Sequence, residues 1–161
     1  MISSMKTFLL TTILFLFTIT LISCSSEEQL SKEQILYQSI TELESRFEEL
    51  KLSKIVEYVR EDYSDESGRN LRDIKRAIQM QIMRHKSLYV FSSIKNIEWI
   101  DDQNAKVEIA AAMGGKPMES ASILTSVRAD MILFTVDFVL EDEVYKVKAA
   151  TWTWAAPSDF L

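Results

Sequence analysis

The sequence predicts an α+β domain in which helices come first and about four consecutive antiparallel strands follow. Three observations predict it. Apolar residues recur at spacings of three and four through residues 36–82, one face of a helix at a time. After Lys86 the period drops to two. Two short polar segments, Asp101-Asp102-Gln103-Asn104 and Glu141-Asp142-Glu143, have the composition of hairpin turns between the alternating runs. Helices segregated before strands, rather than interleaved with them, pack as a layer on one sheet.

The first helix carries Leu36, Ile40, Leu43, Phe47 and Leu50 on one stripe, with Glu42, Glu44, Glu48 and Glu49 on other faces. Ser31, followed three residues later by Gln34, has the spacing of a capping box. Ser53 can cap a second, shorter helix bearing Ile55, Val56 and Val59. Residues 62–69, DYSDESGR, form a turn punctuated by glycine, and a third helix starts near Asn70 with Leu71, Ile74, Ile78 and Ile82 in line. A first strand runs through Tyr89 to Ile100. In the second, Val107, Ile109, Ala111 and Met113 alternate with Lys106, Glu108, Ala110 and Ala112. In the third, Ile132, Phe134, Val136, Phe138 and Leu140 share a face. Tyr145, Val147 and Ala149 begin the last.

Three helices with an acidic turn before the third, then the runs IKNIEWIDDQNAKVEIAAAM and LEDEVYKVKAATWTW, resemble the nuclear transport factor 2-like superfamily over about Ser31 to Ala155. The resemblance implies a cone, a curved antiparallel sheet wrapped around the helices. It also implies two kinds of function. Some members are enzymes of the ketosteroid isomerase or polyketide cyclase type, with an acid/base residue in the cone; others bind ligands or partners without chemistry.

The chemistry-bearing residues are few. His85, the single histidine, follows the third helical stripe towards the cone's mouth, where it can act as a base or merely cap helix carbonyls. Asp137 sits mid-strand, but alternation places it opposite Phe134 and Phe138, outside the cone. Neither has a matching partner motif. Met80, Met83, Tyr89, Phe91, Trp99 and Trp152 are pocket-lining types that at such spacing usually belong to a core; the ligand-binding candidates among them are Met83, Tyr89, Phe91, Trp99 and Trp152. Arg69, Arg72 and Arg76 share a helical face that the nearby acidic turn balances. Met113-Gly114-Gly115-Lys116-Pro117 lacks the spacing of a phosphate-binding loop. With one histidine and one cysteine, no metal site is expected, and no cofactor motif is present. The presumed inner positions are nearly all apolar, which favours a non-catalytic module binding a small molecule or an envelope protein over an enzyme.

The 161 residues, 47% of them hydrophobic, suffice for one core, and the single cysteine excludes an internal disulfide framework. A formal charge of −6 argues against nucleic acid as a partner. The cysteine, Cys24, lies behind the apolar run Phe8 to Ile22, which is too short for a spanning helix and right for a signal peptide. Leu21-Ile22-Ser23-Cys24 resembles the lipobox of bacterial lipoproteins, which implies lipidation of Cys24 and cleavage before it. Residues 1–23 are then signal peptide, 24–30 the lipidated cysteine and tether, and 31–161 the domain. Three acyl chains at ~0.8 kcal/mol per methylene hold the protein on the membrane. Ser25 in place of aspartate implies, by the same resemblance, the outer membrane of a Gram-negative envelope, facing the periplasm. The mature chain carries a net −7, so the domain does not adhere to anionic lipid.

Alternation also turns Met131, Leu133, Thr135, Val139, Ala110 and Ala112 outward, and Trp152 and Trp154 with them unless a bulge near Ala149-Ala150 reverses the last strand. Such an apolar outer face is the expected surface of a homodimer. The lipobox gives the first testable prediction. The full chain made in a Gram-negative host incorporates a labelled fatty acid, and Cys24→Ala abolishes the label; labelling that survives the substitution contradicts lipidation at this residue.

Overall fold

The computed structural model describes residues 30–161, and Ser31–Leu161 form one compact unit. Cys24 and the segment around it lie outside the described residues. Helix α1 spans Lys32–Glu48 and opens on the expected capping box: the Gln34 amide donates to Ser31 Oγ at 3.2 Å, and the Ser31 amide donates to Gln34 Oε1 at 2.8 Å. Helix α2, Leu52–Val56, starts earlier than expected. Its N-cap is Lys51, whose carbonyl accepts from Lys54 and Ile55, so Ser53 already lies inside the first turn. Helix α3, Leu71–Arg84, is capped by Asn70, which accepts from the Arg72 amide at 2.9 Å while Asp73 accepts from the Asn70 amide at 3.1 Å.

Four strands follow, β1 (Tyr89–Trp99), β2 (Asn104–Gly114), β3 (Ala129–Glu141) and β4 (Val144–Trp154), paired antiparallel in the order β1-β2-β3-β4. The β3–β4 hairpin closes through Asp142 and Glu143, both at positive φ (52° and 63°), the geometry whose twist suits a two-residue hairpin. Two bulges bend the sheet, one at Lys95 in β1 and one at Lys148 in β4.

The bulge at Lys148 decides which way the end of β4 faces. Asp137 pairs with Ala149 but Phe138 pairs with Val147, so every residue beyond Lys148 changes face. Phe134 then pairs with Trp152 and Ile132 with Trp154. The two tryptophans belong to the inner face, not the outer one that simple alternation assigns.

On the inner face, Val107, Ile109, Val136, Phe138, Tyr145 and Val147 pack on Leu36 and Ile40 of α1 and on Val59 and Tyr63 of the segment after α2. The outer face is not bare. Ala110 and Ala112 are fully buried beneath Met118, Leu124 and Phe160, which short 3₁₀ turns at Ala121–Ile123 and Pro157–Phe160 bring across the sheet; Met131 and Leu133 pack into the same cluster. The apolar outer surface from which a homodimer is expected is thus covered in large part by the chain itself.

Between α2 and α3 the backbone runs along the free edge of β4. The Arg60 amide donates to the Val147 carbonyl (3.0 Å), the Val147 amide to Tyr58 (2.8 Å) and the Ser64 amide to Lys148 (3.2 Å). The turn is then locked by Asp65, whose side chain is fully buried. It accepts from the Ser67 amide (2.9 Å), the Arg69 amide (3.1 Å), Arg69 Nε (2.8 Å) and the Tyr63 hydroxyl (3.0 Å). Burial pushes this carboxyl up, but the Arg69 amide, the Tyr63 hydroxyl and the Arg69 guanidinium together outweigh it and hold it below its ordinary value. The Tyr63 hydroxyl, pushed up to about 12 by burial and by Asp65, accepts in turn from the Ala150 amide at 3.2 Å.

Asp65→Ala removes four hydrogen bonds and leaves buried donors unpaired; a loss of about 3 kcal/mol in urea unfolding is expected. Because the folded carboxyl titrates below its unfolded value, its contribution is present above the unfolded pKa and is lost as pH falls through the folded one. Asp65→Asn should therefore flatten the acid limb of stability against pH, and an unchanged acid limb contradicts this role.

Candidate functional site

The helices and the curved sheet do not close completely on one another. Between them lies a cavity of about 400 Å³, within the roughly 300–1,000 Å³ of small-molecule sites. Ile40, Leu43 and Phe47 of α1, Ile74 and Ile78 of α3, and Ile109, Ala111, Phe134, Val136 and Trp152 of the sheet give it an apolar wall. Its exposed lining residues, Met80 and Arg84 on the last turns of α3 and Trp152 near the end of β4, mark where it meets solvent.

One carboxylate lines this wall. Glu44 projects from α1 about one turn before its C-terminal end and accepts a hydrogen bond from the Ser92 hydroxyl of β1. Burial raises its pKa, the Ser92 hydrogen bond opposes that shift, and the neighbouring Glu48 adds to it. Glu48 itself accepts from the Val90 amide at 3.0 Å, covering a donor on the free edge of β1. The helical pattern sets Glu44 on a face other than the apolar stripe. The signal against that was present: Glu44 is four residues after Ile40 and three before Phe47, both on the apolar stripe. What the stripe could not show is that the sheet curves round far enough to enclose this position too.

The expected site residues scatter. His85 is the C-cap of α3, its amide donating to the Ile82 carbonyl at 3.3 Å, and it is not among the cavity's lining residues. Asp137 lies on the outer face, 3.8 Å from Lys106 across the strand pair. Tyr89 and Phe91 also face outward, where the Phe91 ring stacks on Phe160 at 6.0 Å. Trp99 packs against Tyr145 at 6.1 Å beneath Lys32, whose Nζ stands 4.7 Å from the indole. Met83 is 77% exposed and lies outside the lining. Only Trp152 and Met80 reach the cavity. The Trp152 ring leans on Phe134 at 6.4 Å and carries the Arg69 guanidinium on its face at 3.6 Å. The basic face of α3 is thereby divided: Arg69 serves Asp65 and Trp152, and Arg76 stands 3.9 Å from Asp73. Among the described residues no group of three or more His, Cys, Asp or Glu could hold a metal ion.

Structural comparison agrees with this architecture. A scytalone dehydratase candidate from Novosphingobium aromaticivorans superposes with a TM-score of 0.62 at 11% identity, over 78% of this chain and 85% of that one. A dehydratase candidate of the NTF2-like family from Streptomyces avermitilis gives 0.55 at 9%, over 74% and 93%. Bd1075 from Bdellovibrio bacteriovorus gives 0.58 at 11%, over 74% of this chain but only 39% of its own length. No protein-family model and no curated protein matches the sequence. At such identities the likeness establishes the fold: this is a nuclear transport factor 2-like, cystatin-like α+β cone.

Glu44 yields a prediction of opposite sign to that for Asp65. A carboxyl whose pKa is raised on folding binds its proton more tightly in the native state, so the stability it contributes is lost as pH rises through the raised value. Glu44→Gln keeps an acceptor for Ser92 and removes that loss. Its Tm should exceed the parent's at pH 7.5, and the difference should shrink towards pH 4; a lower Tm at pH 7.5 contradicts a desolvated carboxylate.

Proposed function

We propose that this chain is a lipid-anchored protein of the bacterial envelope whose cone holds a small, largely apolar molecule without transforming it. The observation that carries the reading is the cavity of about 400 Å³, apolar on nearly every side and open where Met80 and Arg84 are exposed. Such a void in a packed interior forfeits dispersion contacts that a ligand restores. The anchor rests on the lipobox ending at Cys24 and places the domain in the periplasm, where apolar molecules need a carrier or receptor to cross water.

A second reading, an enzyme of the cone type, is favoured by one observation: Glu44 is a carboxylate in an apolar wall whose pKa burial raises, the direction that makes a carboxylate a better base. That two proteins of similar structure are dehydratase candidates supports it at the level of fold. The binding reading stands ahead of it because a general base needs a second group to hold or polarise the substrate. In this wall the near neighbour of Glu44 is Ser92, already engaged by it.

Naphthalene, which has no polar group, tests the cavity alone. The full chain in phosphatidylcholine nanodiscs should bind it in equilibrium dialysis once uptake by empty nanodiscs is subtracted. Ala111→Phe, which fills the cavity from the sheet side, should weaken binding at least about tenfold, equivalent to ~1.4 kcal/mol. Binding unaffected by that substitution, or absent from the unmodified chain, contradicts the reading.

A further inference from the structure

We propose that the cone selects amphiphiles whose polar head donates hydrogen bonds, alkylamines ahead of alcohols and both ahead of fatty carboxylates, with Glu44 as the acceptor for the head. This rests on the binding reading above and names the ligand class of the same cavity. The apolar wall dictates that most of the ligand is hydrocarbon. The choice of head group falls to Glu44. Among the described residues only its Oε1 has a hydrogen-bond donor, the Ser92 hydroxyl; its second oxygen has none, although the side chain lines an apolar space. Glu44 is half-buried in that wall, and its second oxygen is free to accept from an incoming donor in surroundings less polar than bulk water. An ammonium donates a charge-assisted bond and favours the ionised acid. An alcohol supplies one neutral bond. A fatty carboxylate would set acceptor against acceptor.

The rival head-group site is Arg84 at the mouth. It is exposed, its Nη1 donates to Gln81 Oε1 at 3.4 Å, and no carboxylate stands within 4.0 Å of it among the described residues. An exposed guanidinium gains little from an anion that is itself hydrated, whereas Glu44, half-buried in the apolar wall, meets its partner in less polar surroundings. The other nearby guanidinium, Arg69, is committed to Asp65 and to the face of Trp152.

The test uses radiolabelled octylamine, octanol and octanoate, measured by equilibrium dialysis against the full chain in phosphatidylcholine nanodiscs, with empty nanodiscs as the blank. Octylamine should bind at least tenfold more tightly than octanoate, with octanol between them. Glu44→Gln should lower the amine-to-octanoate ratio at least tenfold while it unfolds cooperatively with a Tm at pH 7.5 no lower than the parent's, which shows that the variant is folded. Ser92→Ala, which removes only the competing donor, should keep the amine preference. Naphthalene binding with no amine preference, or an amine preference that survives Glu44→Gln, overturns this inference and leaves the cavity reading standing. An octanoate preference that disappears in Arg84→Gln overturns it in favour of an anion site at the mouth. Failure of naphthalene itself to bind overturns the cavity reading, and this inference with it.

Discussion

One residue inserted in β4, Lys148, governs the geometry of the cone. Where Asp137 pairs with Ala149 and Phe138 with Val147, the strand gains a residue that its partner does not match, and the edge of the sheet bends. Two consequences follow from that single offset. Residues beyond it change face, which brings Trp152 over Phe134 and into the cavity wall. The exposed edge at Val147 and Lys148 then takes three hydrogen bonds from and to the chain between α2 and α3, so the helices are held where the sheet bends most. A strand edge that would otherwise template aggregation becomes the seat of the helical layer.

The polar groups inside this frame fall into two kinds. Asp65 is satisfied on every side, by two amides, a guanidinium and a phenol, and through Tyr63 it reaches the Ala150 amide just past the bulge. Its depressed pKa is the mark of a structural carboxylate whose surroundings were built for its charge. Glu44 has the reverse character. It is desolvated, its pKa is raised, and Ser92 is its single donor. In one small domain, a carboxylate with its hydrogen bonds complete stabilises the fold, and one with them incomplete lines the empty space. That contrast, more than the likeness to other cones, points to where a ligand belongs.

The arrangement also accounts for the covered outer face. An antiparallel sheet can leave one face to water only if that face is polar. Here Ala110 and Ala112 are small, and the room they leave is filled by Met118, Leu124 and Phe160 from the chain's own loop and C-terminal turn. Both faces of the sheet are thus largely covered by the chain itself, and of the large apolar residues that stay exposed among the described residues, Met80, Met83, Trp152 and Trp154 come from the last turns of α3 and the end of β4.

Local pattern was enough to find the three α-helices and the four strands. The stripes of α1 and α3, the capping box at Ser31 and the alternation in β2 and β3 depend on neighbours a few residues away, and each appears within about three residues of its expected place. The lipobox at Cys24 is likewise a local signal, read from the sequence alone. The site was not legible in the same way. Alternation counts residues along one strand, and it fails wherever two residues pair against one; the face of Trp152 and Trp154 therefore hung on whether β4 bulges near Ala149-Ala150, and the bulge at Lys148 turns them inward. A helical wheel gives the direction of Glu44 but not the reach of the surface it meets, which depends on the curvature of a sheet that begins with β1, where Ser92 lies 48 residues further on. Whether an acid on the flank of an apolar stripe is solvated or buried is a property of the closed cone, and only the tertiary structure decided it.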